Sequence, residues 1–160
     1  MGRFRIETVW RLRATREEVV AVLSEPERLP EWWGEVYLSA REVARGGPDG
    51  VGREVELLTR GWLPYRLAWG FRVAEVGKDR VVLTPHGDFR GRGVWSFSQD
   101  GEVAVVCYLW DVETRKPLLR ALMWARPLLA WNHRWAMARG GEGLGREIER
   151  RRSLRAPASP

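Results

Sequence analysis

The chain has 160 residues, 44% of them apolar and 30% charged, with a formal net charge of +6. That length fits one domain with its own hydrophobic core, and the composition is that of a globular protein. The single cysteine, Cys107, excludes a disulfide framework and a Cys-based zinc site, and no apolar run approaches the roughly 20 residues of a bilayer-spanning helix.

Residues Phe4 to Leu12 alternate strictly, which predicts a strand with one buried and one solvated face. The same alternation leaves no continuous apolar segment near Met1, so no signal peptide is read there and a cytoplasmic location is expected. Thr15 and Glu18 have the spacing of a capping box, opening a helix over Arg16–Ser24 that Pro26 stops. A second short helix is expected around Glu27–Trp32. Strands follow over Val36–Val43, Arg53–Thr59, Tyr65–Val76, Arg80–His86, Phe89–Ser98 and Glu102–Thr114, separated by Gly-, Pro- and Asp-rich turns. Gly91 and Gly93 inside one of them suggest a bend. From Pro117 to about Arg152 the chain is helical in character, with a kink expected at Pro127 and weakening at Gly140–Gly145.

The order β-α-α-β-β-β-β-β-β-α predicts an α+β helix-grip fold. A curled antiparallel sheet of six or seven strands holds one long C-terminal helix. A single such domain is expected over 1–152, with a flexible tail over 153–160. A helix about 10 Å wide does not fill a broad trough, so a space between sheet and helix is expected.

Particular motifs carry a family resemblance. Glu25–Pro26–Glu27–Arg28–Leu29–Pro30–Glu31–Trp32–Trp33 is similar to the DPERWPEWW signature of the START-like, or SRPBCC, superfamily. Leu63–Pro64–Tyr65–Arg66–Leu67, Gly87–Asp88–Phe89–Arg90–Gly91–Arg92–Gly93–Val94–Trp95 and Trp110–Asp111–Val112–Glu113–Thr114–Arg115–Lys116–Pro117 resemble its polyketide cyclase/dehydratase-like branch, as do Trp131–Asn132–His133 and Gly141–Glu142–Gly143–Leu144. The resemblance covers about residues 4–150. It implies the fold, and a choice among lipid carriers, receptors and cyclases that fold alone does not make.

Ten tryptophans are several-fold more than ordinary usage, and their N–H groups want partners. Trp10, Trp69, Phe71, Trp95, Phe97, Tyr108 and Trp110 fall on the inward strand parity. With Trp33 at the mouth and Leu129 on the helix, they form the expected wall of a pocket for a hydrophobic molecule such as a lipid, isoprenoid or polyketide-like aromatic. His133 and Arg126, seven residues apart, are the candidate polar pair of that wall. The alternative function is a cyclase or dehydratase using His133, Arg126 or Tyr108. A further alternative is an interaction protein docking through a second helical stripe, Trp124, Leu128, Trp131 and Trp135. That stripe opposes Leu118, Leu122, Ala125, Leu129 and Ala136, and would meet the short helices, a second copy in a homodimer or a membrane surface.

All basic residues but Lys78 and Lys116 are arginine, and they alternate outward along the strands rather than forming one patch, so no nucleic-acid partner is expected. Two distant histidines and one cysteine give no metal-ligand spacing, so no metal and no cofactor are expected. The Arg150–Arg151–Arg152 run with Arg155 reads as a solvated helix end.

Overall fold

The computed structural model describes residues 3–156. β1 (Arg3–Arg13) pairs along its whole length with β7 (Val103–Thr114), Phe4 facing Val112 and Trp10 facing Val106. Between them in sequence come α1 (Arg16–Leu23), a 3₁₀ turn (Pro26–Arg28), α2 (Leu29–Trp32), β2 (Tyr37–Ala44), β3 (Glu54–Arg60), β4 (Arg66–Val76), β5 (Arg80–Gly87) and β6 (Phe89–Asp100). The seven strands form one antiparallel sheet in the order β1-β7-β6-β5-β4-β3-β2. Every pairing but β1 with β7 joins sequence neighbours, as strands linked by short turns require.

The period-2 reading holds along β7, where Ala104, Val106, Tyr108, Trp110, Val112 and Thr114 are buried in alternation. The glycines of β6 mark where the sheet curls. β6 pairs with β7 from Phe89 to Asp100, but with β5 only where Gly93–Ser96 faces Arg80–Leu83. Gly91 has φ 142°, and a Cβ there would lie 2.3 Å from the carbonyl oxygen of Asp111. Only glycine fits that close approach.

The capping box forms as expected: Thr15 Oγ1 accepts from the Glu18 amide at 3.1 Å, and Glu18 accepts from the Thr15 amide at 3.0 Å. The C-terminal helical region departs from the single kinked rod. It divides into α3 (Pro117–Ala121), a 3₁₀ turn (Leu122–Ala125) and α4 (Arg126–Arg155). Pro127 lies in the first turn of α4 rather than kinking a continuous helix. Proline has no N–H to give and its ring excludes the carbonyl four residues earlier, so the helix restarts there. α4 runs to Arg155, three residues past the expected domain end at 152; residues 157–160 of the expected tail lie outside the described ones.

α4 packs against β1, α1 and α2. The indoles of Trp10 and Trp33 donate to the α4 carbonyls of Met137 (3.0 Å) and Ala136 (2.9 Å), and their rings meet edge to face at 5.6 Å. The arginine run at the helix end is engaged rather than merely solvated: Arg151 bridges Glu25 and Glu147, and Arg152 bonds Glu18 and the carbonyl of Arg13. These pairs tie the end of α4 to the α1–α2 segment.

Candidate functional site

Between the inner face of the sheet and α4 lies a cavity of about 120 Å³. The sheet supplies Trp69, Tyr108 and Trp110, the segment after α1 supplies Trp33 and Tyr37, and α4 supplies Leu129, Asn132 and His133. Trp69 sits 5.2 Å from Trp110, and Phe89 packs edge-on against both at 5.6 and 5.3 Å. The rings thus brace one another along the wall instead of filling the space.

The loop after β3 closes one end of this cavity, and Asn132 holds it. The Asn132 side chain accepts from the Leu63 amide at 3.0 Å and donates to the Tyr65 hydroxyl at 3.1 Å. Trp69 is likewise fixed, its indole donating to Thr59 Oγ1 at 2.9 Å. Next to these lining residues the surface is apolar. Trp62 and Trp131 meet edge to face at 4.9 Å while remaining 59% and 42% exposed, and Trp124 in the 3₁₀ turn is 83% exposed. Of the second helical stripe only Trp135 packs against the core; Trp124, Leu128 and Trp131 stand open.

The buried polar groups of the cavity are neutral at physiological pH. Burial, helped by the nearby Arg134 charge, pulls His133 down to about 4, so the imidazole is unprotonated, and its buried Nε2 has no hydrogen-bond partner. Burial raises Tyr37, Tyr65 and Tyr108 above the usual phenol range. No carboxylate lines this cavity among the described residues; Arg60, exposed at the rim, is the charged group of its lining. Such a wall offers hydrogen bonds and apolar surface, not charge. Among the described residues no three His, Cys, Asp or Glu side chains converge to hold a metal ion. Among them, too, no helix is long and apolar enough to cross a membrane.

Of the residues singled out in the sequence, Trp33, Trp69, Tyr108, Trp110, Leu129 and His133 line this cavity. Phe71, Trp95 and Phe97 line a second one further along the sheet. Trp10 lines neither, being held behind Trp33 by its bond to Met137. Arg126 also lines neither and is exposed. It shares a helical face with His133, but two turns, about 10 Å along the axis, carry it past the rim. Sequence reasoning missed Tyr37, Tyr65 and Asn132. Asn132 carried a signal, as an amide beside His133 and three residues after Leu129 on an otherwise apolar stripe.

No protein-family model matches the chain, and no curated protein matches it. Solved structures do. TTHA0849 of Thermus thermophilus superposes with a TM-score of 0.69 at 22% identity, covering 88% of this chain and 97% of that one. A START superfamily protein of Mycobacterium smegmatis gives a TM-score of 0.74 at 16% identity, covering 91% and 97%. The Zhui aromatase/cyclase of Streptomyces sp. R1128 gives 0.75 at 16% identity, covering 93% and 95%. The fold is therefore the START-like helix-grip. These likenesses define the architecture and leave the chemistry of the cavity to its own residues.

Proposed function

We propose that this protein binds an uncharged, largely apolar small molecule in the cavity between the sheet and α4. The observation that carries this reading is the lining itself: aromatic rings, with neutral hydroxyl, amide and imidazole groups among them and the Nε2 of His133 unpartnered. Burial of apolar ligand surface supplies about 25 cal/mol per Å², and the few polar groups set orientation. The exposed Trp62–Trp131 pair, adjacent in sequence to Gly61 and Asn132 of the lining, gives an apolar molecule a first foothold.

A cyclase-type activity, the chemistry named for the Streptomyces neighbour, is less well supported. An acid or base works best with a pKa near the working pH, and His133 at about 4 lies far below it. No carboxylate stands beside it among the lining residues.

The test is native mass spectrometry of the purified protein followed by solvent extraction, together with saturation-transfer NMR using toluene as an uncharged probe. A co-purified apolar molecule, or toluene binding that Ala136→Leu abolishes by filling the cavity, is the expected result. Toluene that does not bind, or binds equally well after that substitution, overturns the reading.

A further inference from the structure

The cavity described above is small. Ligand pockets usually run from about 300 to 1,000 Å³, and about 120 Å³ holds little more than a single ring. Beyond its inner wall lies a second cavity of about 360 Å³, which does reach that range. This second chamber is walled by Leu23 of α1 and Leu29 of α2 on one side and by Phe71, Leu83 and Phe97 of the sheet on the other. It opens between the Pro48–Gly50 turn and the Gly77–Lys78 turn. Its charged residues, Asp49, Arg53 and Lys78, belong to those loops or their edges, and Arg53 is occupied by Glu27, Glu42 and the carbonyl of Ser24.

The two chambers share one wall. Trp33, Tyr37, Trp69 and Tyr108 line both, so the partition is one layer of aromatic side chains thick. Its members are not equally fixed. Trp33 and Trp69 are anchored by their indole hydrogen bonds to Ala136 and Thr59. Tyr108 is held by ring contacts alone, stacked on Trp95 with ring centres 4.0 Å apart and tilted against Trp110 at 5.8 Å, and Tyr37 by an edge contact with Trp33 at 4.8 Å. The tyrosine hydroxyl with a side-chain partner among the described residues is that of Tyr65; those of Tyr37 and Tyr108 have none.

We propose that the two cavities are one elongated site divided by Tyr37 and Tyr108, and that its ligand is an elongated, uncharged molecule. The ligand passes the two tyrosines with a hydrogen-bonding oxygen near its middle and lays an apolar tail in the second chamber. This rests on the binding function proposed above. The tyrosine rings turn aside about their side-chain bonds while the anchored tryptophans keep the walls in place. The oxygen then gives the two hydroxyls the partner they lack, and because the charged lining residues Arg60, Asp49, Arg53 and Lys78 lie at the rims and not at the aromatic partition, an ionised group is excluded at that depth.

The test measures, by calorimetric titration, the affinities of 6-undecanone and 2-undecanone, which differ only in where the oxygen sits, with toluene as the small probe in saturation-transfer NMR. Leu23→Trp blocks the second chamber from α1, and Val81→Phe blocks it from the sheet, so that one serves if the other fails to fold. Each is expected to weaken 6-undecanone at least tenfold and to leave toluene binding unchanged. The natural chain is expected to prefer 6-undecanone over 2-undecanone about fivefold, and Tyr37→Phe with Tyr108→Phe to erase that preference. Undiminished 6-undecanone binding in the blocked variants, or no preference between the ketones, overturns the two-chamber site while toluene binding keeps the simpler function standing. Loss of toluene binding in the natural chain overturns both.

Discussion

Gly140 of α4 lies flat against the indole of Trp33: a Cβ on the glycine would fall 2.4 Å from two ring carbons. Gly143, one turn on, would meet the carbonyl oxygen of Trp32 at 2.0 Å. The glycines of α4 therefore let the helix seat on the Trp32–Trp33 turn, and that seating brings the Trp33 indole to the carbonyl of Ala136. Glycine costs a helix about 1 kcal/mol relative to alanine, but here the substitution would overpack a rigid contact, at about 1–3 kcal/mol. Gly140→Ala is thus expected to lower the urea midpoint. Gly145→Ala, whose new methyl would find only Leu12 at an ordinary 3.7 Å, is expected to raise it by the equivalent of about 0.5–1 kcal/mol. Equal effects at the two positions would remove the close-packing account.

His133 sets a pH dependence of stability. Its folded-state pKa, about 4, is below the ordinary histidine value of about 6.5, so between those values the unfolded chain binds the proton more tightly. Stability is then undiminished above about pH 6.5 and falls as the pH is lowered towards about 4. By pH 5.5, one unit below the unfolded value, the loss is expected to be about 1 kcal/mol. Glu147 titrates lower. Its bond from Arg150, with Arg151 beside it, takes it down to about 2, so its stabilisation persists above about pH 4.5 and is lost only on further acidification. Glu17, Glu18 and Glu25, also held below the usual carboxylate range, lose stabilisation only near pH 4.5 and below, so denaturation midpoints at pH 7.0 and 5.5 isolate the histidine. His133→Phe is expected to flatten that interval, and an unaltered slope would place the effect elsewhere.

Asn132 links α4 to the loop that closes the first cavity. Asn132→Leu removes both the acceptor for the Leu63 amide and the donor to Tyr65. Losing a buried hydrogen bond of this kind costs about 1–3 kcal/mol where a partner is left unsatisfied. Hydrogen exchange at the Leu63 amide is expected to quicken at least tenfold while amides in the centre of β7 keep their protection. Unchanged exchange at Leu63 would mean that the loop is held by its own packing.

The strand faces were legible because alternation is local. The parity of Trp69, Phe71, Tyr108 and Trp110 follows from position in the chain alone, and all four reach cavity walls. The division of the aromatic wall into two chambers was not legible. It depends on Tyr37, which follows the α2 turn and enters from an edge strand, so its place relative to Tyr108 is a tertiary fact. Arg126 failed for a similar reason: helical phase gave its face correctly but not where the cavity ends along the axis. The break at Leu122–Ala125 was half visible, since Pro127 announced an interruption, whereas its start five residues earlier carries no breaking residue. The glycines of α4 read as weak points because their partner, Trp33, lies more than a hundred residues away in sequence.

The same long-range docking carries an ionic component. Glu147 is 5% exposed and accepts from Arg150 at 2.7 and 2.8 Å and from Arg151 at 2.9 Å, while Arg151 reaches on to Glu25 at 3.0 Å. Removing one member of a buried pair strands the charge of the other, at about 3–5 kcal/mol, whereas an exposed partner contributes at most about 1 kcal/mol. The Arg150 side chain is 47% exposed and that of Arg151 15%. Arg151→Ala is therefore expected to cost several-fold more stability than Arg150→Ala, measured as the shift in urea midpoint at pH 7. The Arg151→Ala loss is expected to shrink when Glu147→Gln is introduced alongside it, because the buried carboxylate, left with only the more exposed Arg150, is then neutral. A double variant no more stable than Arg151→Ala alone would show that Arg151 acts through the packing of its stem against the α1–α2 segment and not through its charge.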